Sequence, residues 1–341
     1  MEYVGFEKTS STGPLWNFGT LSPVAVERLL LDSGCTAEQS KQLLKCQVQA
    51  GNGSTMYKPD GALLLSLPPE ARSKLYLALA QNAANRFQAT PYLIPNGDVA
   101  TLFDKHYNSN TDAIATMKKL LYTRNGYTYF SDPEMVLEKF STQEERNEYL
   151  QSLTGQSAVM MRLLLRADSD IEKPLNYWAL SMPGVLMKDL KPLLEAQQRL
   201  PKGGSISILY LLPPLAREKL FSSPLPPAPG QGKLPDCHWT ALNYFNATPD
   251  PRMADNEYAS RFITEHYYEI SKAGTAGDLV LLLNAAGNVV HSAVYIADDV
   301  VFTKNGINYA QPWILMHEKD MIGNFSAIEP VKVAYFRRRG V

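Results

Sequence analysis

Short apolar runs separated by turn residues mark the last part of the chain. Leu279–Leu283, Val289–Ala297 and Val300–Lys304 are three such runs, a fourth covers 331–336, and clusters of Gly, Asn and Asp separate the first three. Runs of this length, rich in β-branched residues and bounded by turn formers, are typical of β-strands. We therefore predict an antiparallel sheet in this region, preceded by a short helix and by a second helix over 255–270.

The first two thirds of the chain carry mainly helical signals. Ser22 precedes Pro23, which is the pattern of a helix N-cap followed by proline in the first turn. Thr36 and Ser141 each stand three residues before a Gln or Glu, the spacing of a capping box. We predict helices after all three caps. The segments 157–166 and 177–182 are apolar enough for a strand or a buried helix, and their pattern does not decide between the two.

One motif occurs twice in this helical part. The residues Pro-Pro-x-Ala-Arg-x-Lys-Leu-aromatic occupy 68–76 and again 213–221. Each copy follows a short apolar run, 62–67 or 206–212, which we predict to be a strand. A segment with helical signals lies upstream of each run. These features predict a duplicated helix–strand–helix unit within one domain.

A segment rich in proline and glycine divides the chain. Residues 222–235 combine five prolines with two glycines, and segments of this composition favour an extended linker. We predict an N-terminal, mainly helical domain over 1–221, this linker over 222–235, and a C-terminal domain over 236–341. The predicted fold class is α+β, because helices precede a run of strands in the C-terminal part.

Composition limits the classes of partner. The chain has 341 residues, of which 45% are hydrophobic, and a formal net charge of −1. That length suits two domains, and the near-neutral charge predicts no nucleic-acid partner. No apolar stretch approaches the roughly 18 residues of a membrane span. Motifs for metals or for phosphate groups are absent, so we expect no metal and no cofactor. The oligomeric state stays open.

The location of the protein is open to two interpretations. The N-terminal residues Met1-Glu-Tyr-Val-Gly5 do not form a secretory signal. We expect an exported protein, periplasmic or extracellular, whose signal peptide has been removed, while a cytoplasmic location stays possible. Of the three cysteines, Cys35 and Cys46 lie in one local segment and either form a disulfide or stay unlinked. Cys237 is then the odd cysteine, which makes it a candidate for reactivity.

Cys237 is placed by its sequence at the start of a helix. Pro235 discourages helix before it, Asp236 is a good N-cap, and no helix breaker follows for nine residues. Unpaired N–H groups and the helix dipole at such a terminus stabilise a thiolate, which is the nucleophilic form of cysteine. The alternative is a core cysteine, because Cys237, Ala241 and Phe245 share one helix face.

The residues that follow Cys237 support a catalytic role. After Asp236-Cys237 come Gly277-Asp278 before one strand, His291 near the start of the next, and Thr303 near the end of the third. This order resembles the NlpC-type branch of the papain-like cysteine peptidases, over about the last third of the chain. The family usually has Ser-Gly after its Asp-Cys, where this chain has His238-Trp239. The resemblance implies a papain-like domain with a helix packed on an antiparallel sheet, and a bacterial protein that cleaves peptidoglycan stem peptides.

A histidine base is expected to serve the cysteine. Of the five histidines we favour His291, with its side chain on the sheet face toward the Cys237 helix. The family pattern places the residue that orients the imidazole at Thr303, with Asn305 as the fallback, whereas Lys304 points to the other face. We expect a Cys237 with a depressed pKa. Other residues predicted to line the substrate site are Asp236, His238, Trp239 and Asn305.

The predicted function is amide hydrolysis by a cysteine nucleophile and a histidine base, with a peptidoglycan peptide as the substrate. Two alternatives stay open. One is a related amidase or acyltransferase that acts on amides outside the cell wall. The other is a binding module whose catalytic site has decayed, which the departures at His238, Trp239 and Thr303 make conceivable.

Overall fold

The computed structural model describes residues 13–49, 53–103, 110–155, 158–181, 187–224, 235–306 and 311–340. The chain divides into two compact units. Unit 1 comprises Met1–Gln156 with Ser326–Pro330, and unit 2 comprises Ser157–Phe325 with Val331–Val341. The boundary therefore lies near residue 156, and the predicted division at 222–235 is wrong.

Backbone hydrogen bonds explain why the segment before the predicted linker belongs to unit 2. The Val159 N–H donates to the Leu315 carbonyl at 2.8 Å, and the Phe221 N–H donates to the Trp313 carbonyl at 2.7 Å. Both acceptors lie on one strand of the C-terminal sheet, at its edge. The segment thus pairs backbone groups that an edge strand would otherwise leave open. Residues 225–234 of the predicted linker lie outside the described residues.

Unit 1 consists of helices with two small antiparallel sheets in its described residues. The strand orders are β1-β3-β2 and β4-β6-β5. The elements are β1 (Trp16–Asn17), α1 (Pro23–Ser33), α2 (Ala37–Leu44), β2 (Gln47–Gln49), β3 (Thr55–Tyr57), α3 (Gly61–Ser66), α4 (Pro69–Leu79), α5 (Arg86–Ala89), β4 (Tyr92–Leu93), α6 (Ala100–Phe103), α7 (Thr111–Leu120), β5 (Tyr122–Arg124), β6 (Tyr127–Phe130), α8 (Pro133–Leu137) and α9 (Gln143–Thr154).

The predicted helix starts of unit 1 are confirmed, one of them with a shift. Ser22 caps α1, and Thr36 forms a capping box with Gln39 at α2. The third capping box is made by Thr142 with Glu145, one residue later than the Ser141 prediction. Both Thr142 and Glu145 satisfy free N–H groups of the helix end, and this reciprocal arrangement selects the register.

The predicted duplication is not present as one domain. Both Pro-Pro motifs start a helix, with Pro68 and Pro213 as caps of similar backbone geometry. The preceding apolar runs differ, however, since 62–67 lies mostly in helix α3 whereas 206–212 combines the end of a strand with a 3-10 turn. The two copies also belong to different compact units. The motif is therefore a repeated helix start, which proline at the first helical positions explains locally.

Unit 2 contains a sheet of six described strands in the order β13-β12-β11-β10-β14-β9, and a separate ribbon of β7 and β8. All pairings within the six-stranded sheet are antiparallel, which confirms the α+β class. The elements are β7 (Arg162–Leu165), α10 (Glu172–Ser181), α11 (Met187–Gln198), β8 (Gly204–Ser207), α12 (Pro214–Lys219), α13 (Cys237–Leu242), α14 (Asn256–His266), β9 (Tyr267–Ile270), β10 (Leu279–Leu283), β11 (Val289–Ala297), β12 (Val300–Lys304), β13 (Trp313–His317), α15 (Glu318–Phe325) and β14 (Lys332–Arg338).

The strands β10, β11 and β12 have the predicted bounds, and β14 begins and ends within two residues of its prediction. The helix predicted over 255–270 ends at His266, and its last four residues form β9 instead. The order of the strands was not predictable from periodicity. In particular, β9 and β14 pair at the edge opposite β13.

Gly277 and Asp278 stabilise the turn before β10. Gly277 has a φ of +97°, and a Cβ there would collide with the Phe245 ring. The buried Asp278 carboxylate accepts N–H bonds from Gly274 and Thr275, both at 2.9 Å, and pairs with Arg337. These contacts explain why this turn needs both residues: glycine for the backbone conformation and aspartate for the loop N–H groups.

The two faces of the large sheet pack against different helices. Leu281, Val294 and Phe302 lie in the core that includes Ala241 and Leu242 of α13. On the other face, neighbouring strand residues including Val280, Ala293 and Ile314 pack with Met321 of α15. Because strand side chains alternate between faces, this division assigns every position of β11 and β12 to one helix or the other.

Candidate active site

The start of α13 is capped as the sequence predicts. The Asp236 Oδ1 atom accepts the Trp239 N–H at 2.7 Å, and the Thr240 hydroxyl donates to the Asp236 carbonyl at 2.7 Å. Cys237 is the first residue of the helix. Asp236 is therefore the N-cap residue that precedes Cys237, and its side-chain oxygen is bonded to the helix backbone.

The Cys237 thiol lies inside the protein at this helix end. It is 7% exposed, and the backbone N–H groups of Ser292, His238 and Cys237 itself act to lower its pKa. Burial nevertheless raises the pKa of Cys237 to about 11, and the Asp236 charge raises it further against the N–H groups. The expectation of a depressed pKa is wrong for this structure, because desolvation of a thiolate outweighs the donors of a helix of two turns.

His291 makes the predicted contact with Thr303. Its Nε2 atom lies 2.8 Å from the Thr303 hydroxyl, and its ring stacks on Phe325 with 4.1 Å between ring centroids. Asn305, the fallback residue, donates to the Met316 sulfur at 3.2 Å instead. Of the two candidates for orienting the imidazole, the structure therefore places Thr303 in the position to do so. The catalytic role of this pair stays a prediction.

The orientation predicted for His291 is wrong. His291 pairs with Leu282 across the strands, and Leu282 belongs to the core on the α15 side of the sheet. The register shift between Leu282 and Leu283 does not reverse this face. The side chain is on the α15 side because the larger apolar set, with Val294 and Ile296, packs on the α13 side.

The imidazole is held neutral in this geometry. Complete burial lowers the pKa of His291 to about 3, with a smaller contribution from the nearby His238. Its Nδ1 atom is buried without a hydrogen-bond partner, and Nε2 is used by Thr303. Within the described residues, therefore, no hydrogen bond joins the imidazole to the Cys237 thiol. Ser292, the residue after His291, is the point at which β11 acts on the thiol, since its N–H acts to lower the pKa of Cys237.

His238 lies inside the site. Its Nδ1 atom is 2.6 Å from the Ser292 hydroxyl, and burial lowers the pKa of His238. Trp239 is partly buried and packs against the core under α13. Ser292 thus contacts both residues 237 and 238, once through its backbone and once through its side chain, and joins the helix to β11.

Two residues of this site were not predicted from the sequence. Ser292 is one, and Lys304, fully buried at the end of β12, is the other. Lys304 shares its strand parity with Phe302, which faces α13. A lysine within the otherwise apolar and hydroxyl-bearing run Val300–Lys304 was the signal that could have drawn attention to it.

The other histidines take no part in the described site. His266 is half-exposed at the end of α14 beside Phe262, and His317 pairs with Asp299 at 2.9 Å. His106 lies outside the described residues. The three cysteines are free, so Cys35 and Cys46 are unlinked. Among the described residues, no cluster of His, Cys, Asp or Glu is of the size that could hold a metal ion. In the same part of the chain no helix is long and apolar enough to cross a membrane.

Comparison with known proteins gives no further assignment. Neither a protein-family model, nor a curated protein, nor a solved structure matches this chain.

Proposed function

We propose that unit 2 is a cysteine hydrolase that cleaves amide bonds, with peptidoglycan stem peptides as its substrate class. The observation that carries the proposal is the junction at Ser292. There the backbone N–H of Ser292 acts to lower the pKa of Cys237 at a capped helix start, and the neighbouring His291 contacts the Thr303 hydroxyl through Nε2. The chain order that resembles the NlpC-type peptidases motivates the substrate class and the papain-like domain.

The N–H groups at the sulfur are suited to the charged stages of such a reaction. The backbone N–H groups of Cys237, His238 and Ser292 act to lower the pKa of the thiol. Donors in this arrangement stabilise a thiolate, and those at the helix start can also stabilise the oxyanion of a tetrahedral intermediate. A site without bulk water strengthens both effects, since the same desolvation that raises the thiol pKa strengthens each hydrogen bond to a negative charge.

The proposed reaction proceeds by acyl transfer to Cys237. The proposal requires the His291 imidazole, which lies on the α15 face of the sheet in this geometry, to reach the thiol when substrate binds. The sulfur then attacks the amide carbonyl carbon as its proton passes to His291, and the tetrahedral intermediate collapses when His291 returns that proton to the leaving amine. Water then attacks the thioester, giving one proton to His291 and releasing the acid, and His291 reprotonates the thiolate. The unpartnered Nδ1 of His291 is the atom available for these transfers, because Nε2 is bonded to Thr303. Catalytic hydrogen bonds are often longer before substrate binds.

The test is release of peptides from purified muropeptides. The wild-type protein is expected to cleave them, and both Cys237→Ala and His291→Ala are expected to abolish release. Cys46→Ala is the matched control, since it removes a free cysteine of unit 1 and should leave the rate unchanged. Activity that survives Cys237→Ala would overturn the proposal.

A second candidate, a binding module without catalysis, is favoured by one observation. The pKa of Cys237 is raised to about 11 and that of His291 is lowered to about 3, so neither is charged near neutral pH in this geometry. If muropeptides stay intact and Cys237 reacts with iodoacetamide no faster than a buried core thiol, this candidate replaces the hydrolase. If Cys237 reacts rapidly while muropeptides stay intact, the related amidase or acyltransferase on other amides is indicated.

A further inference from the structure

Lys304 occupies an unusual position for a lysine. Lys304 is fully buried at the end of β12. It lies on the same sheet face as Phe302 and therefore on the α13 side. Its Nζ atom donates to the Gly306 carbonyl at 2.7 Å and lies 6.0 Å from the centre of the Trp313 ring. Lysine is rarely buried completely, and a buried ammonium is costly unless nearby groups stabilise it.

A chain of contacts links this lysine to the start of α13. The Trp313 ring beneath Nζ donates its Nε1–H to the Thr240 hydroxyl at 2.9 Å, and that hydroxyl donates to the Asp236 carbonyl. Lys304 is therefore on the same side of the sheet as Cys237, whereas His291 lies on the other. Burial lowers the pKa of Lys304, and the charges of Cys237 and Asp236 oppose this by raising it.

We propose that the Lys304 ammonium is a positioning charge that stabilises the Cys237 thiolate. An electrostatic interaction is reciprocal, so an anion at Cys237 that favours the protonated lysine is favoured by it to the same extent. In a site shielded from water this attraction is much less screened than at the surface. The lysine thus offsets part of the desolvation cost of the thiolate. His291 does not offset this cost in the resting geometry, because it lies on the opposite face of the sheet. The inference rests on the proposed function for its purpose but not for its test.

Other charged groups near Cys237 remain when Lys304 is replaced. Asp236 and His238 lie on the cap and first turn of α13, and His291 lies on β11. From the 3-10 turn packed on α13, Arg252 is bonded to the Asp250 carboxylate and largely exposed. Lys304 Nζ donates to the Gly306 carbonyl, so a neutral residue at 304 removes one positive charge and leaves these charged side chains in place.

The experiment measures alkylation of Cys237 by iodoacetamide in the full-length protein, with mass mapping to separate it from the other cysteines. The reagent is neutral, so that the lysine charge does not attract it. In Lys304→Met, the rate constant is expected to fall about tenfold at each pH from 7.0 to 8.5, which corresponds to a rise of about one unit in the thiol pKa. The two profiles of log rate against pH should stay parallel.

Phe302→Leu is the matched control, since it loosens the same face of the same strand without a change of charge. It should leave the rate unchanged or raise it through better access. Lys304→Gln is the second neutral variant, and thermal unfolding of each variant shows which are folded. Equal rates in wild type and in either folded neutral variant would overturn the proposal. Because no substrate is used, this outcome is independent of whether muropeptides are cleaved.

Discussion

At the scale of single residues, Cys237 and His291 show how burial competes with hydrogen bonding. Both lie near hydrogen-bonding groups expected of a catalytic pair. Burial nevertheless raises the pKa of Cys237 and lowers the pKa of His291. The neutral pair is the form that an apolar environment favours. Reaction then requires the proton to move within the site as the substrate carbonyl arrives, and the residues that surround the pair set the barrier to that transfer.

Thr303 gives the sharpest residue-scale prediction for the proposed reaction. Thr303→Val keeps the side-chain shape but removes the hydroxyl that contacts His291 Nε2 at 2.8 Å. We expect the rate of peptide release to fall about tenfold, since a misoriented imidazole still functions part of the time. Steady-state kinetics on muropeptides measures this.

Asn305→Ala is the comparison variant for Thr303→Val and should lower the rate less, because Asn305 contacts Met316 rather than the imidazole. A larger loss in Asn305→Ala than in Thr303→Val would exclude Thr303 as the orienting residue. Thr303→Val also leaves a buried nitrogen unsatisfied, so its free energy of unfolding should fall by about 1–3 kcal/mol.

Glu134 provides a residue-scale prediction in unit 1. Burial raises the pKa of Glu134 from 4.5 to about 7, with a smaller contribution from Asp132, and its buried Oε2 atom has no hydrogen-bond partner among the residues that the structure describes. A raised folded-state pKa means that the folded state binds the proton more tightly. The associated stability is therefore complete below pH 4.5 and is lost as the pH rises through about 7.

The variant Glu134→Gln removes this ionisation. Relative to wild type it should gain free energy of unfolding as the pH rises from 5 to 8, by at most about 3 kcal/mol. Guanidinium unfolding at a series of pH values measures the difference. A stability difference that stays constant over this range would show that Glu134 ionises without penalty.

At the scale of elements, the short helix α13 is held by its cap and by Ser292. Asp236 has two opposing effects there, since its carboxylate caps the helix and its charge raises the pKa of Cys237. Asp236→Asn keeps an oxygen acceptor for the Trp239 N–H but removes the charge. We expect alkylation of Cys237 to become about threefold faster near neutral pH, with little loss of stability.

Asp236→Ala separates the two effects at this cap. It removes the charge and the cap together, so the free energy of unfolding should fall by about 1 kcal/mol. Denaturant unfolding and alkylation are measured on both variants. Slower alkylation in Asp236→Asn than in wild type would mean that the charge does not act on the thiol.

At the scale of the whole molecule, the segment 158–224 belongs to the unit that carries the candidate site. Its backbone bonds to Leu315 and Trp313, and the Tyr177 hydroxyl donates to the Ile296 carbonyl at 2.5 Å. A chain of residues 236–341 alone lacks these partners. Unit 2 is thus larger than the C-terminal third that resembles a peptidase domain.

Truncated chains test this organisation. A chain of 158–341 should unfold cooperatively and at a higher temperature than one of 236–341, because only the longer chain covers the β13 edge and the Ile296 end of β11. Circular dichroism during heating measures both transitions. Equal midpoints would show that the segment 158–224 does not contribute to the stability of the sheet.

The sequence by itself determined the local features of this protein. Three strands with their bounds, the Asp236 cap and the cysteine at a helix start follow from short-range rules, because caps depend on neighbouring residues and strand parity depends on alternation. The contact between His291 and Thr303 is the one that the resemblance to the NlpC-type order implies. The tertiary structure alone decided which face of β11 packs on α13, because both faces of this strand carry apolar residues. It also decided the unit boundary, which depends on hydrogen bonds between residues about 90 to 160 positions apart. The raised pKa of Cys237 and the burial of Lys304 were decided at the same level, since burial is a property of the packed fold.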